Sequence, residues 1–165
     1  MKRLVLMRHA KSDWAAGQPD HDRPLNARGR RSAEALGDWL RATDTLPDAA
    51  LCSTATRARE TLAGLKLDVS VKFEKRLYHA GPGAMLRCLQ KAQDDTVILI
   101  GHNPGIAGFA EELVSAPPRH PRFDDYPTGA TLVATFDIGD WTALEPGTGR
   151  AAAFVIPREL LADTA

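Results

Sequence analysis

The sequence is short of the features that usually classify a chain at once. It holds only two cysteines, Cys52 and Cys88, in 165 residues. That is too few for a disulfide framework, and they lack the CxxC spacing of a metal pair, so both read as reduced, packed thiols. Net charge is missing as well: 21 Lys+Arg stand against 21 Asp+Glu. No global basic field is available to hold nucleic acid or an anionic membrane, and any anion site must be local. Long apolar runs are absent too. Lys2 and Arg3 precede only Leu4 to Met7 before Arg8 interrupts, too short a run for a secretory signal. Nothing approaches the roughly 18 apolar residues of a membrane span. Cytoplasm is therefore the expected compartment, with no membrane and no nucleic-acid partner. With no internal repeat, low-complexity tract or linker in view, a single domain over residues 1–165 is expected.

What is present is alternation. Residues 3–7, 49–52, 69–73 and 97–100 are short apolar or alternating runs bounded by turn residues, and 131–136 and 151–156 form a late pair; these predict strands, the last two a hairpin. Between them lie helical stripes: Ala33, Leu36, Leu40; Ala58, Thr61, Leu62, Leu65; Met85, Cys88, Leu89, Ala92; Ile106, Phe109, Ala110, Leu113. Strands and helices in turn predict a three-layer α/β/α sandwich with a largely parallel central sheet. The segments 10–24 and 116–129 are polar and rich in Gly, Pro and Asp, and are expected to run over the surface.

Two apolar runs end on a histidine that a buried strand would not want: LVLMRHA at 4–10 and VILIGHN at 97–103. In open α/β sheets, ligands collect beyond the carboxyl ends of the strands. Arg8 and His9 follow the first predicted strand, Ser53 to Arg57 the second, and Gly101, His102 and Asn103 the fourth. The arginines offer planar forks suited to phosphate, and a helix start near Ser53 and Thr54 adds backbone N–H groups. Imidazole supplies a nitrogen nucleophile and a second donor. Each residue alone has a plain reading, His9 or His102 as a loop contact and Arg57 as a solvated helix face. Their arrival together at equivalent strand ends points to a phosphoryl group.

Two rival motifs are weaker. GHNPGIAG at 101–108 has neither the GxGxxG nor the GxxxxGK[ST] spacing of a nucleotide loop. DHD at 20–22, with His9, Asp13 and His102, has the residue types of a metal hydrolase, but no spacing forces them together and two arginines would repel a divalent ion. A solvated acidic loop is the expected account of DHD.

LVLMRHAKSDW, RPLNARGR, STATRARET and LIGHNPG, in that order, resemble the histidine phosphatase superfamily, in particular its small phosphohistidine phosphatase branch of the SixA type. The resemblance runs from the first strand to about residue 108. It implies a phosphoglycerate mutase-like fold, no cofactor and no metal, with His9 as the transiently phosphorylated nucleophile, Arg8 and Arg57 as phosphate-binding arginines and His102 as the second histidine. The family's Arg-His-Gly reads Arg-His-Ala here, which matters only if Ala10 needs a positive φ. Phosphomonoester-cleaving relatives carry a carboxylate acid after the third strand, where this chain reads FEKRLYHAG; Asp13, Glu74, His79 or no residue at all remain the candidates. Lys11, Ser12 and Asn103 are candidates for the pocket rim, with Asp13 and His79 beside them. The mechanism expected is in-line attack by neutral His9, with Arg8, Arg57 and a protonated His102 holding the phosphoryl oxygens. The expected partner is a phosphohistidine-bearing protein or, failing that, a small phosphorylated molecule. A phosphate- or phosphoprotein-binding module without turnover is the non-enzymatic alternative.

Overall fold

In the computed structural model, which describes residues 1–161, six strands form one sheet: β1 (Lys2–Arg8), β2 (Ala49–Ser53), β3 (Ser70–Glu74), β4 (Thr96–Gly101), β5 (Thr131–Phe136) and β6 (Arg150–Val155). The order across the sheet is β3-β2-β4-β1-β5-β6. The first four are mutually parallel, and β5 and β6 run antiparallel as the predicted hairpin. The helices are α1 (Ala27–Ala42), α2 (Thr56–Leu65), α3 (Pro82–Gln90), α4 (Gly105–Leu113) and α5 (Pro157–Leu161). Among the described residues no helix is long and apolar enough to cross a membrane.

The central strands are apolar on both faces because both are covered, as parallel sheets require. Leu4, Leu6, Val97 and Leu99 point to one layer, packed with Met85 and Leu89 of α3 and Ile106 and Phe109 of α4. Val5, Met7, Ile98 and Ile100 point to the other, packed with Leu36 and Leu40 of α1 and Ala58, Leu62 and Leu65 of α2. The helical stripes are thus the covers of the two faces. Ala92 lies past the end of α3 yet still packs on the core.

Topology decides where a cleft opens. From β1 the chain crosses toward β2, whereas from the adjacent β4 it crosses the other way to β5. The two connections diverge, leaving a crevice beyond the carboxyl ends of β1 and β4.

Neither long loop is a plain surface excursion. Segment 10–24 holds two single 3-10 turns, Trp14–Ala16 and Asp20–Asp22, and buries Ser12 and Arg23. Segment 116–129 sends Phe123 and fully buried Tyr126 into the core beside α4. Their aromatic area outweighs the polar composition that predicts a surface path. Cys52 and Cys88 are free and buried, and burial pushes the Cys52 thiol up to about 12.

Candidate active site

The backbone at the end of β1 is held from three sides. His9 N–H donates to the Gly101 carbonyl of β4 (3.1 Å), and Gly129 N–H donates to the carbonyls of Arg8 (3.1 Å) and His9 (2.9 Å). Ala10 N–H donates to Thr61 Oγ1 (2.9 Å), whose hydroxyl donates in turn to the Arg57 carbonyl (2.7 Å). Thr61 therefore ties the first turns of α2 to the His9 segment. Ala10 is not among the residues with positive φ, so alanine stands there without backbone strain. Gly105 opens α4 hard against the loop after β3: a Cβ on it would lie 1.9 Å from the Ala80 carbonyl oxygen. Close approach is what the GHNPG glycine supplies.

His9 and His102 face each other with ring centroids 5.0 Å apart, both nearly buried. His9 Nδ1 lies 2.7 Å from the Ala10 carbonyl. A carbonyl only accepts, so Nδ1 carries the hydrogen and Nε2 keeps its lone pair. Ser53 Oγ accepts from Ala55 N–H (3.2 Å) and lies 2.7 Å from His102 Nε2. Either atom can be the donor in that pair, and the other ring nitrogen of His102, Nδ1, is buried with no partner among the described residues. Burial, aided by each other's proximity and by Arg8 and Arg57, pushes the His9 pKa down to about 3. Burial, then Arg57, pushes His102 down to about 3 as well. Both rings are thereby held neutral near pH 7. For His102 this shift runs against the protonated ring expected from sequence.

Three arginines line the same cleft of about 350 Å³, together with both histidines. Arg8 Nη1 donates to the Tyr126 carbonyl (3.2 Å). Arg57 donates through Nη1 to the Asp20 carbonyl (2.7 Å) and through Nη2 to its carboxylate (3.2 Å). Arg23, a third arginine that carries no role in the sequence reading, donates to Ser12 Oγ and to Asp20 (3.0 Å) and lies over the Trp14 ring, 3.6 Å from its centroid. Asp20 also accepts from Tyr78 O–H. These bonds hold its carboxyl below the usual range, Tyr78 being the largest influence. Asp20 is therefore not the solvated loop acid expected of DHD: though half-exposed, it orients two cleft arginines and a tyrosine. Of the five buried side-chain atoms without a partner among the described residues, four are here: Nε of Arg8, Arg23 and Arg57, and Nδ1 of His102. Such a concentration of unpartnered polar atoms is what a candidate anion site offers a ligand.

The remaining candidates separate. Lys11, Ser12 and Asn103 line the cleft. Asn103 is fixed there by donating to the carbonyls of Asp125 (2.9 Å) and Tyr126 (3.1 Å). Asp13 accepts from Ala15 N–H (2.9 Å) as the cap of a 3-10 turn and does not line the cleft. Glu74 pairs with Lys72 (3.1 Å) at the end of β3. His79 lies exposed in an adjoining recess shared with His102, stacked 3.9 Å from Tyr78. Among the described residues, no carboxylate side chain lines the cleft itself. Among the described residues, no group of three or more His, Cys, Asp or Glu is set to hold a metal ion. The supporting residues beyond sequence reach are Ser53, Thr61, Asp20, Arg23 and Tyr126. Arg23 had a local signal as the first residue of RPLNARGR, Ser53 as part of the expected helix start and Asp20 within DHD, but none pointed to the role seen here.

Comparison with known proteins agrees with this geometry. The family model for the histidine phosphatase superfamily (branch 1) matches residues 4–85. An uncharacterized protein of Mycobacterium tuberculosis (strain H37Rv) is 40% identical over 159 residues, 92% of this chain and 100% of the relative. A protein of Nakamurella multipartitia, provisionally assigned as the phosphohistidine phosphatase SixA, is 33% identical with TM-score 0.83, covering 94% of this chain and 96% of that one. An Agrobacterium tumefaciens protein with the same provisional assignment is 26% identical with TM-score 0.76, covering 94% and 98%.

Proposed function

Because this chain belongs to the histidine phosphatase superfamily, we propose that it is a metal-independent phosphatase that removes the phosphoryl group from phosphohistidine on a protein, through a phospho-His9 intermediate. The observation that carries the reading is His9 itself: its Nδ1–H is bound to the Ala10 carbonyl, its Nε2 is unprotonated, and it stands in a cleft with Arg8, Arg57 and His102. Nε2 attacks phosphorus in line while the substrate P–N bond breaks. The arginine forks and the His102 ring take the equatorial oxygens, so catalysis is mostly positioning and charge stabilisation. Water then attacks phosphorus, the P–Nε2 bond breaks, and inorganic phosphate leaves neutral His9 behind.

The choice of phosphohistidine over a phosphate ester rests on the leaving group. An alkoxide needs a proton delivered to it, and no carboxylic acid lines the cleft. Asp20, the carboxyl bound to two of the cleft arginines, is held ionised by Tyr78 and those arginines. An imidazole leaves with its own ring protonated at a reference pKa of about 6.5, so it tolerates a site without an acid. The test is a time course on a phosphohistidine-bearing carrier protein and a panel of phosphomonoesters in parallel, with chelator present. Fast loss of phosphohistidine with slow ester cleavage is expected. Faster ester cleavage overturns the assignment and makes His79 or Tyr78 the acid to test.

A further inference from the structure

Beside the cleft, and sharing Lys11 and Thr128 with it, lies a second recess of about 120 Å³. Lys11, Arg28, Arg122 and Arg158 line it, and among the described residues no carboxylate does. Arg122 is engaged by Asp125 through Nε and Nη2. Lys11, Arg28 and Arg158 are exposed, and among the described residues their side chains have no hydrogen-bond or ion-pair partner. In a chain whose charges sum to zero, unpaired cations gathered at one recess call for a local explanation.

Two independent observations point to an anionic ligand. Ser32 is only 3% exposed as a residue and lines the recess, and no hydrogen bond within the protein engages its hydroxyl among the described residues, so the hydroxyl is free to meet a ligand there. The start of α1 is built against its own dipole, with Arg28, Arg30 and Arg31 near its beginning and no acidic residue in the first turn, where negative charge is the favoured kind. The packing makes the arrangement rigid on one side. The Lys11 carbonyl accepts from Asn26 N–H (3.0 Å) and presses on Gly29, where a Cβ would lie 2.0 Å from it. The chain leaving His9 is thereby pinned to the helix start that carries Arg28.

We propose that this recess is a second anion subsite, which takes a carboxylate from an acidic segment flanking the phosphorylated residue of a protein substrate and so sets substrate specificity. The inference rests on the phosphohistidine reading for its substrate. Lys11, Arg28 and Arg158 suit a protein surface: they are exposed, without a partner among the described residues and on flexible stems, and the recess opens beside the phosphoryl cleft. A carboxylate there and a phosphoryl group at His9 are held at once, one by each recess, with Lys11 between them.

The test uses an oligoglutamate peptide as probe, its binding followed by NMR shifts, on the wild type, on Arg28→Gln/Arg158→Gln and on Arg28→Lys/Arg158→Lys. Two exposed charge pairs make the expected loss in the glutamine variant about tenfold, with binding kept in the lysine variant and weakened by salt in the wild type. For a phosphohistidine protein with acidic flanks, KM rises by about the same factor with kcat held, while turnover of free phosphohistidine is unchanged. Equal peptide binding in wild type and glutamine variant overturns the subsite. So does an equal loss on free phosphohistidine, which would move these arginines to the phosphoryl cleft or to the fold. Peptide binding without any phosphohistidine turnover leaves the subsite standing and removes the functional reading instead; turnover without peptide binding does the reverse.

Discussion

The molecule holds two adjoining groups of cations that are built in opposite ways. In the phosphoryl cleft every arginine is tied to a protein acceptor: Arg8 to the Tyr126 carbonyl, Arg57 to Asp20, Arg23 to Ser12 and Asp20. In the neighbouring recess Arg122 is tied to Asp125, but Lys11, Arg28 and Arg158 are tied to nothing among the described residues. Fixed donors stabilise a charge that develops at one point and need not reorganise when it does, which is what a transition state requires. Untied ones adapt to a partner and contribute mainly to encounter and selectivity. On the proposed reading, neighbouring positive charge serves rate in one place and choice in the other.

The contrast can be broken most severely at His9. His9→Ala is expected to reduce phosphohistidine turnover to background with folding intact and oligoglutamate binding unchanged, read by a phosphate-release assay beside the NMR titration. Turnover at the wild-type rate would remove the nucleophile assignment. Arg57→Ala comes next, with an expected loss of roughly 10²–10³ in kcat, the scale for one preorganised charge-stabilising donor. Tyr126→Phe tests what holds the cleft. The tyrosine is buried at φ 46°, its hydroxyl donates to the Leu6 carbonyl (2.5 Å) and accepts from Leu132 N–H (3.1 Å). Losing both leaves buried groups unpaired, at about 1–3 kcal/mol of stability by urea unfolding. Asp20→Asn is subtler: the arginines lose orientation but the cleft gains positive charge, so kcat falls about tenfold while KM does not rise.

The smallest effect near neutrality is a pH slope. His9 and His102 are pushed down to about 3 from an ordinary 6.5. Between those values the unfolded chain binds protons that the native one does not, so stability falls as pH drops from about 6.5 toward 3 and is fully present above. His102→Gln should flatten that slope in thermal melts taken from pH 7 to pH 4; an unchanged slope would mean that His102 is not held neutral.

How far this could be read in advance follows from which interactions are local. The strands were legible because their apolar runs are short and bounded, and the helices because Leu36, Leu40, Leu62 and Leu65 recur at helical spacing. Arg8, His9, Arg57 and His102 could be gathered by the strand-end rule alone. Asp20 could not, because its meaning lies in Arg57, 37 positions away, and an acidic loop looks the same whether or not an arginine reaches it. Tyr126 was hidden for the converse reason: it sits among Pro, Asp and Gly, and composition cannot reveal that its ring is buried. The protonation of His102 lay furthest out of reach, since it depends on summed burial and charge.

The Tyr126 carbonyl accepts from both Arg8 and Asn103. One peptide group thus staples the end of β1 to the loop after β4, and the segment 116–129 becomes part of the same cooperative unit as the two strand ends. A fluctuation that lifts this segment releases an arginine and an asparagine together, so the cleft opens as a whole rather than residue by residue. Slow amide exchange along 116–129 and a competent anion pocket are then two readings of one opening equilibrium.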